Sequence, residues 1–211
     1  MDKGLSLRDV TITKGGVPLL SVNHDIAPGE VLTVMGPSGV GKSTLLAFIT
    51  GTLAPDFAAS GEVWLDGHDI TRSAPHQRRV GILFQEDLLF PHLSVGANLA
   101  FGLRPGGSTA ARNAKIEEAL DEVGLSGFAD RDPATLSGGQ KARVALMRML
   151  LSEPCGLLLD EPFSRLDAAL RAQVREMVFD RARARQLPVL MVTHDAEDAQ
   201  AAGGVIVTLG G

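Results

Sequence analysis

Apolar and polar residues alternate weakly from Leu5 to Thr13, and again from Leu19 to Ile26 after a Gly15-Gly16 turn signal, the pattern of two short strands. Pro28-Gly29 interrupts the chain, and Val31 to Met35 is an unbroken run rich in β-branched residues, which predicts a strand buried on both faces. Helix is expected over Leu45–Thr50 and Ser94–Phe101, and strand over Gly61–Leu65 and Val80–Phe84. Ile116, Ala119, Leu120 and Val123 repeat at helical spacing, so Ala110–Val123 reads as an amphipathic helix with Gly124 as its C-terminal glycine. Ala142, Ala145, Leu146, Met149 and Leu150 repeat the spacing, with Ser137 placed to cap the helix that they define. Apolar runs at Leu157–Leu159, Val189–Thr193 and Val205–Leu209 are separated by helical stretches at Ala168–Gln186 and Ala196–Ala202. Strands alternating with helices imply an α/β protein with a mostly parallel sheet covered on both faces.

Composition narrows the class. With 211 residues, 45% hydrophobic and 21% charged, the chain is a globular domain, and no run approaches the ~20 apolar residues of a membrane span. Met1-Asp2-Lys3-Gly4 is not the start of a signal peptide. A net charge of -5 argues against a nucleic-acid partner, and a single cysteine, Cys155, excludes an internal disulfide or a thiolate metal cluster. The 24 glycines are clustered and there is no tyrosine, so a purine site would have few rings to stack on.

One glycine cluster carries chemistry. Gly36-Pro37-Ser38-Gly39-Val40-Gly41-Lys42-Ser43 satisfies G-x-x-x-x-G-K-[ST] between a buried strand and a helix. Its backbone N–H groups can wrap a polyphosphate at the positive end of the helix. Lys42 supplies a charge to the β- and γ-phosphates, Ser43 a hydroxyl ligand for Mg²⁺, and Thr44 a contact to the α-phosphate. The plainer alternative, a Gly-Ser turn that binds nothing, requires a chance match of roughly one in a hundred. A phosphoryl-transfer site also needs a carboxylate at a neighbouring strand end. The run Gly156-Leu157-Leu158-Leu159-Asp160-Glu161 delivers Asp160 as the metal ligand, through water, and Glu161 as general base for an attacking water.

Leu136-Ser137-Gly138-Gly139-Gln140, LSGGQ, opens the helix before that strand, and here the chain resembles the ATP-binding subunits of ABC transporters. The resemblance covers Leu5 to Leu209. It implies a P-loop core over 1–85 and 153–211 with an antiparallel β edge, an inserted helical subdomain over 86–152, and ATP and Mg²⁺ as ligands. It also implies a head-to-tail pair of copies in which Ser137, Gly138, Gly139 and Gln140 of one cap ATP on the other. Gln85 resembles the glutamine that approaches Mg²⁺ and the attacking water. Ser164-Arg165-Leu166-Asp167 resembles the D-loop, with Arg165 where alanine is usual and Asp167 reaching the second copy. His194 matches the histidine that senses the γ-phosphate. Lys14 stands where relatives place an aromatic residue against adenine, so weak discrimination between ATP and GTP is expected; Trp64 reads as packing.

Phe90-Pro91-His92-Leu93-Ser94-Val95 resembles the importer class, and Phe90 and Leu93 are expected to meet a membrane permease. The stop at Gly210-Gly211, with Phe163-Ser164-Arg165-Leu166-Asp167 and Gly81-Ile82-Leu83-Phe84-Gln85, resembles the compact thiamine-type importer ATPases and their bacterial relatives. The expectation is a peripheral subunit at the cytoplasmic face of the inner membrane, without an added regulatory domain. Its partners would be a second copy, an integral permease and, through that permease, a solute-binding protein. Two alternatives stand beside it: an ABC ATPase acting on nucleic acid or ribosomes, and a nucleotide-responsive scaffold without turnover. The first usually carries fused copies or long arms, and the second has no use for Glu161 and His194 together.

Overall fold

The computed structural model describes residues 3–37, 39–86, 88–164 and 166–209. Its strands are β1 (Leu5–Lys14), β2 (Val17–Ile26), β3 (Val31–Met35), β4 (Phe57–Leu65), β5 (His68–Asp69), β6 (Val80–Leu83), β7 (Gly156–Asp160), β8 (Val189–Thr193) and β9 (Val205–Thr208). Its helices are α1 (Lys42–Thr50), α2 (Val95–Gly102), α3 (Thr109–Glu122), α4 (Gly138–Leu150), α5 (Ala168–Ala184) and α6 (Ala196–Ala202). They fall into two compact units, one of residues 1–82, 155–161 and 179–211, the other of 83–154 and 162–178.

The first unit holds two sheets, an antiparallel one ordered β2-β1-β4-β5 and one ordered β6-β7-β8-β3-β9 in which β7, β8, β3 and β9 pair in parallel. The continuous apolar runs are its centre: every residue of β8 is buried, and β3 and β7 are buried up to their last residue. The weak alternation in β1 has a physical cause. Asp9 takes a left-handed φ of 47°, and the register with β2 shifts between Leu7 and Val10, so the inward set changes from Leu5 and Leu7 to Val10 and Ile12. A core of Leu5, Leu7, Ile12, Leu32, Val34, Leu158, Leu190 and Val192 includes Leu45, Leu46 and Ile49 of α1. Burying each of these side chains stabilises the fold by about 1.5–3 kcal/mol. Lys42 lies on the same stripe of α1, three residues before Leu45, so the packing that buries the leucines also carries the lysine inward.

The second unit is helical. α2 and α4 approach so closely that a Cβ on Gly102 would stand 2.0 Å from the Arg148 carbonyl oxygen. Ile116, Ala119 and Leu120 form the buried stripe of α3, and Gly124 ends the helix in the left-handed region. This unit takes in residues 162–178 as well as the expected insertion: Leu170 packs over Gly139, and Arg143 donates to Gln173 Oε1 at 3.4 Å. None of the described helices is long and apolar enough to cross a membrane.

Candidate nucleotide site

In the first unit, β3 ends at Met35 and the chain passes through the glycine-rich loop into α1. Gly41, at φ 98°, is the N-cap; it contributes no side chain, and a Cβ there would meet Leu20 at 2.9 Å. Glycine is therefore required both by the backbone angle and by the neighbour, and the first N–H groups of α1 are left without a side-chain cap. Lys42 is only 6% exposed. Its Nζ donates to Gly36 O at 2.6 Å and Pro37 O at 3.0 Å, drawing the loop around the ammonium. A group so held is preorganised for an anion, because two carbonyls orient it without neutralising it. Gly39 and Val40 lie in the same loop, Thr44 is half-buried in the first turn, and Ser38 falls outside the described residues.

Ser43 Oγ donates to Asp160 Oδ1 at 3.1 Å, joining α1 to the end of β7. Burial pushes the Asp160 carboxyl above its ordinary pKa and the Glu161 charge adds to this, while the Ser43 hydrogen bond and the Lys42 charge oppose it. A hydroxyl beside a half-buried carboxylate is an oxygen donor set of the kind that hard divalent cations take, and a cation there would favour the ionised form that burial resists.

Glu161 follows immediately. Its N–H donates to Val192 O at 3.0 Å, its φ is 46°, and its Oε1 lies 3.1 Å from His194 Nδ1. The Glu161 side chain is 19% exposed and that of His194 55%. The parallel pairing of β7 with β8, Asp160 opposite Val192, is what brings these ends together. A left-handed backbone at a non-glycine residue is strained, and here it turns Glu161 out of the strand direction that delivers Asp160. Ser43, Lys42, Asp160, Glu161 and His194 thus gather at one edge of the parallel sheet, where open α/β sheets bind ligands.

Gln85, Ser137, Gly138, Gly139, Gln140 and Asp167 belong to the helical unit. Gln85 is exposed just after β6. Ser137 and Gln140 cap one another, Ser137 N–H donating to Gln140 Oε1 at 2.9 Å and Gln140 N–H to Ser137 Oγ at 3.3 Å. Gly138 is exposed with open space about it, whereas Gly139 is buried where a Cβ would lie 2.4 Å from Leu170. Asp167 Oδ1 accepts from Leu170 N–H at 3.1 Å and caps α5; Arg165 falls outside the described residues. Phe90 is half-buried, packed edge-on to Phe101 with centroids 4.7 Å apart, and Leu93 is half-buried too. The most exposed phenylalanine among the described residues is Phe101, 70% accessible, which the sequence reading assigned only to a helix; Phe84 is 43% accessible. Lys14 pairs with Asp56 at 3.4 Å and lies 4.9 Å from the Phe57 ring centre, and Trp64 is half-buried with its Nε1 donating to Glu62 at 2.7 Å.

Residues 19–164 match the sequence profile of the ABC transporter family. The chain is 50% identical over 188 residues to the uncharacterized ABC transporter ATP-binding protein YnjD of Escherichia coli, across 89% of this chain and 87% of that one. It is 45% identical over 193 residues to the thiamine import ATP-binding protein ThiQ of Haemophilus influenzae, across 91% and 88%. With the sulfate/thiosulfate import ATP-binding protein CysA of Gloeobacter violaceus it shares 45% identity over 189 residues, across 89% of this chain and 54% of the relative.

Proposed function

We propose how this chain works from a premise that the comparisons supply: it belongs to the ABC transporter family, as an ATP-binding, ATP-hydrolysing subunit. Relatives named as import ATP-binding proteins make it a bacterial importer ATPase with a membrane permease as partner. The loop N–H groups and Lys42 hold the β- and γ-phosphates of ATP. Ser43 and Asp160 would hold Mg²⁺, which when bound supplies charge neutralisation of the polyphosphate. Glu161 accepts the proton of the water that attacks the γ-phosphate, and His194, through its Nδ1 contact, fixes the direction in which Glu161 faces. For Gln85, and for the capping of ATP on a second copy by Ser137 and Gly139 with Asp167 across the same interface, the support is the family resemblance.

The observation that carries this reading is the pairing at adjacent strand ends of the Ser43–Asp160 hydrogen bond with the Glu161–His194 contact, each at 3.1 Å. ATP binding would close two copies on each other and hydrolysis would reopen them, since only contacts made in the closed state can favour it. The permease, and through it a solute-binding protein, would make the subunit peripheral at the cytoplasmic face of the inner membrane. Glu161→Gln keeps the shape and removes the base. Hydrolysis should fall at least about a hundredfold, while ATP shifts the variant to a dimer in gel filtration; unchanged turnover would refute the role given to Glu161.

A further inference from the structure

Arg78, in the first unit, is 5% exposed, and its guanidinium is held by four backbone carbonyls. Nη1 donates to Phe48 O and Ile49 O, both at 2.9 Å, Nη2 to Thr71 O at 2.7 Å, and Nε to Ser73 O at 2.9 Å. Phe48 and Ile49 are in the last turn of α1, where a helix leaves carbonyls that its own ladder does not pair; Phe48 O also accepts from the Gly51 N–H at 3.1 Å. A buried cation on those oxygens completes the helix end and complements its negative pole.

The anchor behind Arg78 is itself fixed. Thr71 N–H donates to Asp69 Oδ1 at 2.8 Å, and Val63 N–H donates to Thr71 Oγ1 at 2.8 Å, pinning the segment to β4. Gly51, the C-cap of α1 at φ 77°, completes the arrangement by leaving space: a Cβ there would lie 2.6–2.7 Å from the guanidinium. The helix so held has nine residues and a length of about 13 Å. Its other end begins with Lys42 and Ser43.

We propose that Arg78 is a positioning residue of the nucleotide site, fixing through the short rigid helix α1 where Lys42 and Ser43 stand. The proposal rests on the reading of the loop as an ATP site. A guanidinium satisfies four carbonyls at once because its donors are fixed in a plane. An apolar replacement removes the guanidinium donors from the buried Ile49 oxygen and the half-buried Phe48, Thr71 and Ser73 oxygens, Phe48 O keeping only its Gly51 N–H; the helix end moves to satisfy them, and α1 carries that movement to the phosphate loop.

The test is steady-state ATP hydrolysis by the full chain with Mg²⁺, beside thermal unfolding, for wild type, Arg78→Met and Arg78→Lys, at a temperature where each is fully folded. The expected result is a kcat/KM about tenfold lower in Arg78→Met, most of it a rise in KM, with Arg78→Lys recovering part of the loss. A lower Tm with wild-type KM would overturn the proposal, because Arg78 would then hold the fold alone. Should Arg78→Met not fold, Gly51→Ala displaces the guanidinium while keeping its charge, and a KM raised about threefold or more supports the proposal. Wild-type KM in both Gly51→Ala and Arg78→Lys overturns it. A wild type that neither binds nor hydrolyses ATP defeats instead the functional reading on which the proposal stands.

Discussion

Asn98 on α2 is fully buried in an otherwise apolar helix, and its side chain ties down the segment that follows Gln85. Its Oδ1 accepts from Phe90 N–H at 2.8 Å, and its Nδ2 faces Phe90 O, Leu93 O and Ser94 O at 3.1, 3.2 and 3.0 Å. From the other side, Arg148 of α4 donates to Leu88 O at 2.9 Å and lies 5.3 Å from the Phe90 ring centre. An amide has two N–H bonds, so the three carbonyls share them and the side chain makes about three bonds in all. At about 1 kcal/mol net for each, Asn98→Ala should destabilise the helical unit by about 3 kcal/mol. In a chain of this length that lowers Tm by roughly 6–12 °C. Asn98→Asp should be worse, because it turns an anion toward three carbonyl oxygens. The assay is urea unfolding followed by far-UV circular dichroism, since the only tryptophan, Trp64, lies on β4 in the other unit. A midpoint for Asn98→Ala equivalent to less than about 1 kcal/mol of loss would refute this account of how Phe90 is held.

Three other outcomes are expected. Folding raises the Asp160 pKa, so between its ordinary and its raised value the folded protein keeps a proton that the unfolded chain releases, and stability falls as pH rises through that window. Without Mg²⁺ at neutral pH, Asp160→Asn should therefore melt higher than wild type, the gap closing toward about pH 4, while hydrolysis is lost; an equal or lower Tm at neutral pH contradicts the burial argument. With Lys14 engaged by Asp56 and Phe57 in place of an aromatic platform, GTP should be hydrolysed within about tenfold of the ATP rate, and a strict ATP preference in steady-state kinetics would remove the argument. Phe101→Ser should strip the permease from affinity-purified membranes while lowering the Tm of the isolated subunit only slightly, since Phe101 is 70% exposed and gives up one edge-on contact with Phe90; full retention of the permease excludes that ring from the interface.

What the sequence made legible is what depends on neighbours in the chain. The glycine-rich loop before α1, the Asp160-Glu161 pair and the Ser137 cap are local patterns, and β8 and α6 keep the limits that periodicity assigned them. Longer-range causes were hidden. β4 begins at Phe57 rather than Gly61 because it pairs with β1 as far as Lys14, a matter of partner and not of propensity. β5, two residues opposite Trp64 and Leu65, has no pattern of its own. Arg78, inside His76-Gln77-Arg78-Arg79, reads as part of an exposed charged turn, and only the carbonyls of α1 and of the Thr71–Ser73 segment make it a core residue. Asn98 likewise takes its meaning from loop carbonyls that no helical periodicity reports.

The left-handed backbone of Glu161 has a consequence for descent. On the role proposed for Glu161, selection at that position reads the residue twice, once for a carboxylate and once for tolerance of φ near 46°. Asn, Asp and Gly enter that region at little cost, whereas Val or Ile are penalised in any environment. A lineage that abandoned hydrolysis would be released from the first demand and still bound by the second. Retired copies of this subunit should therefore carry Asn or Gly there, and their folds should outlast their activity.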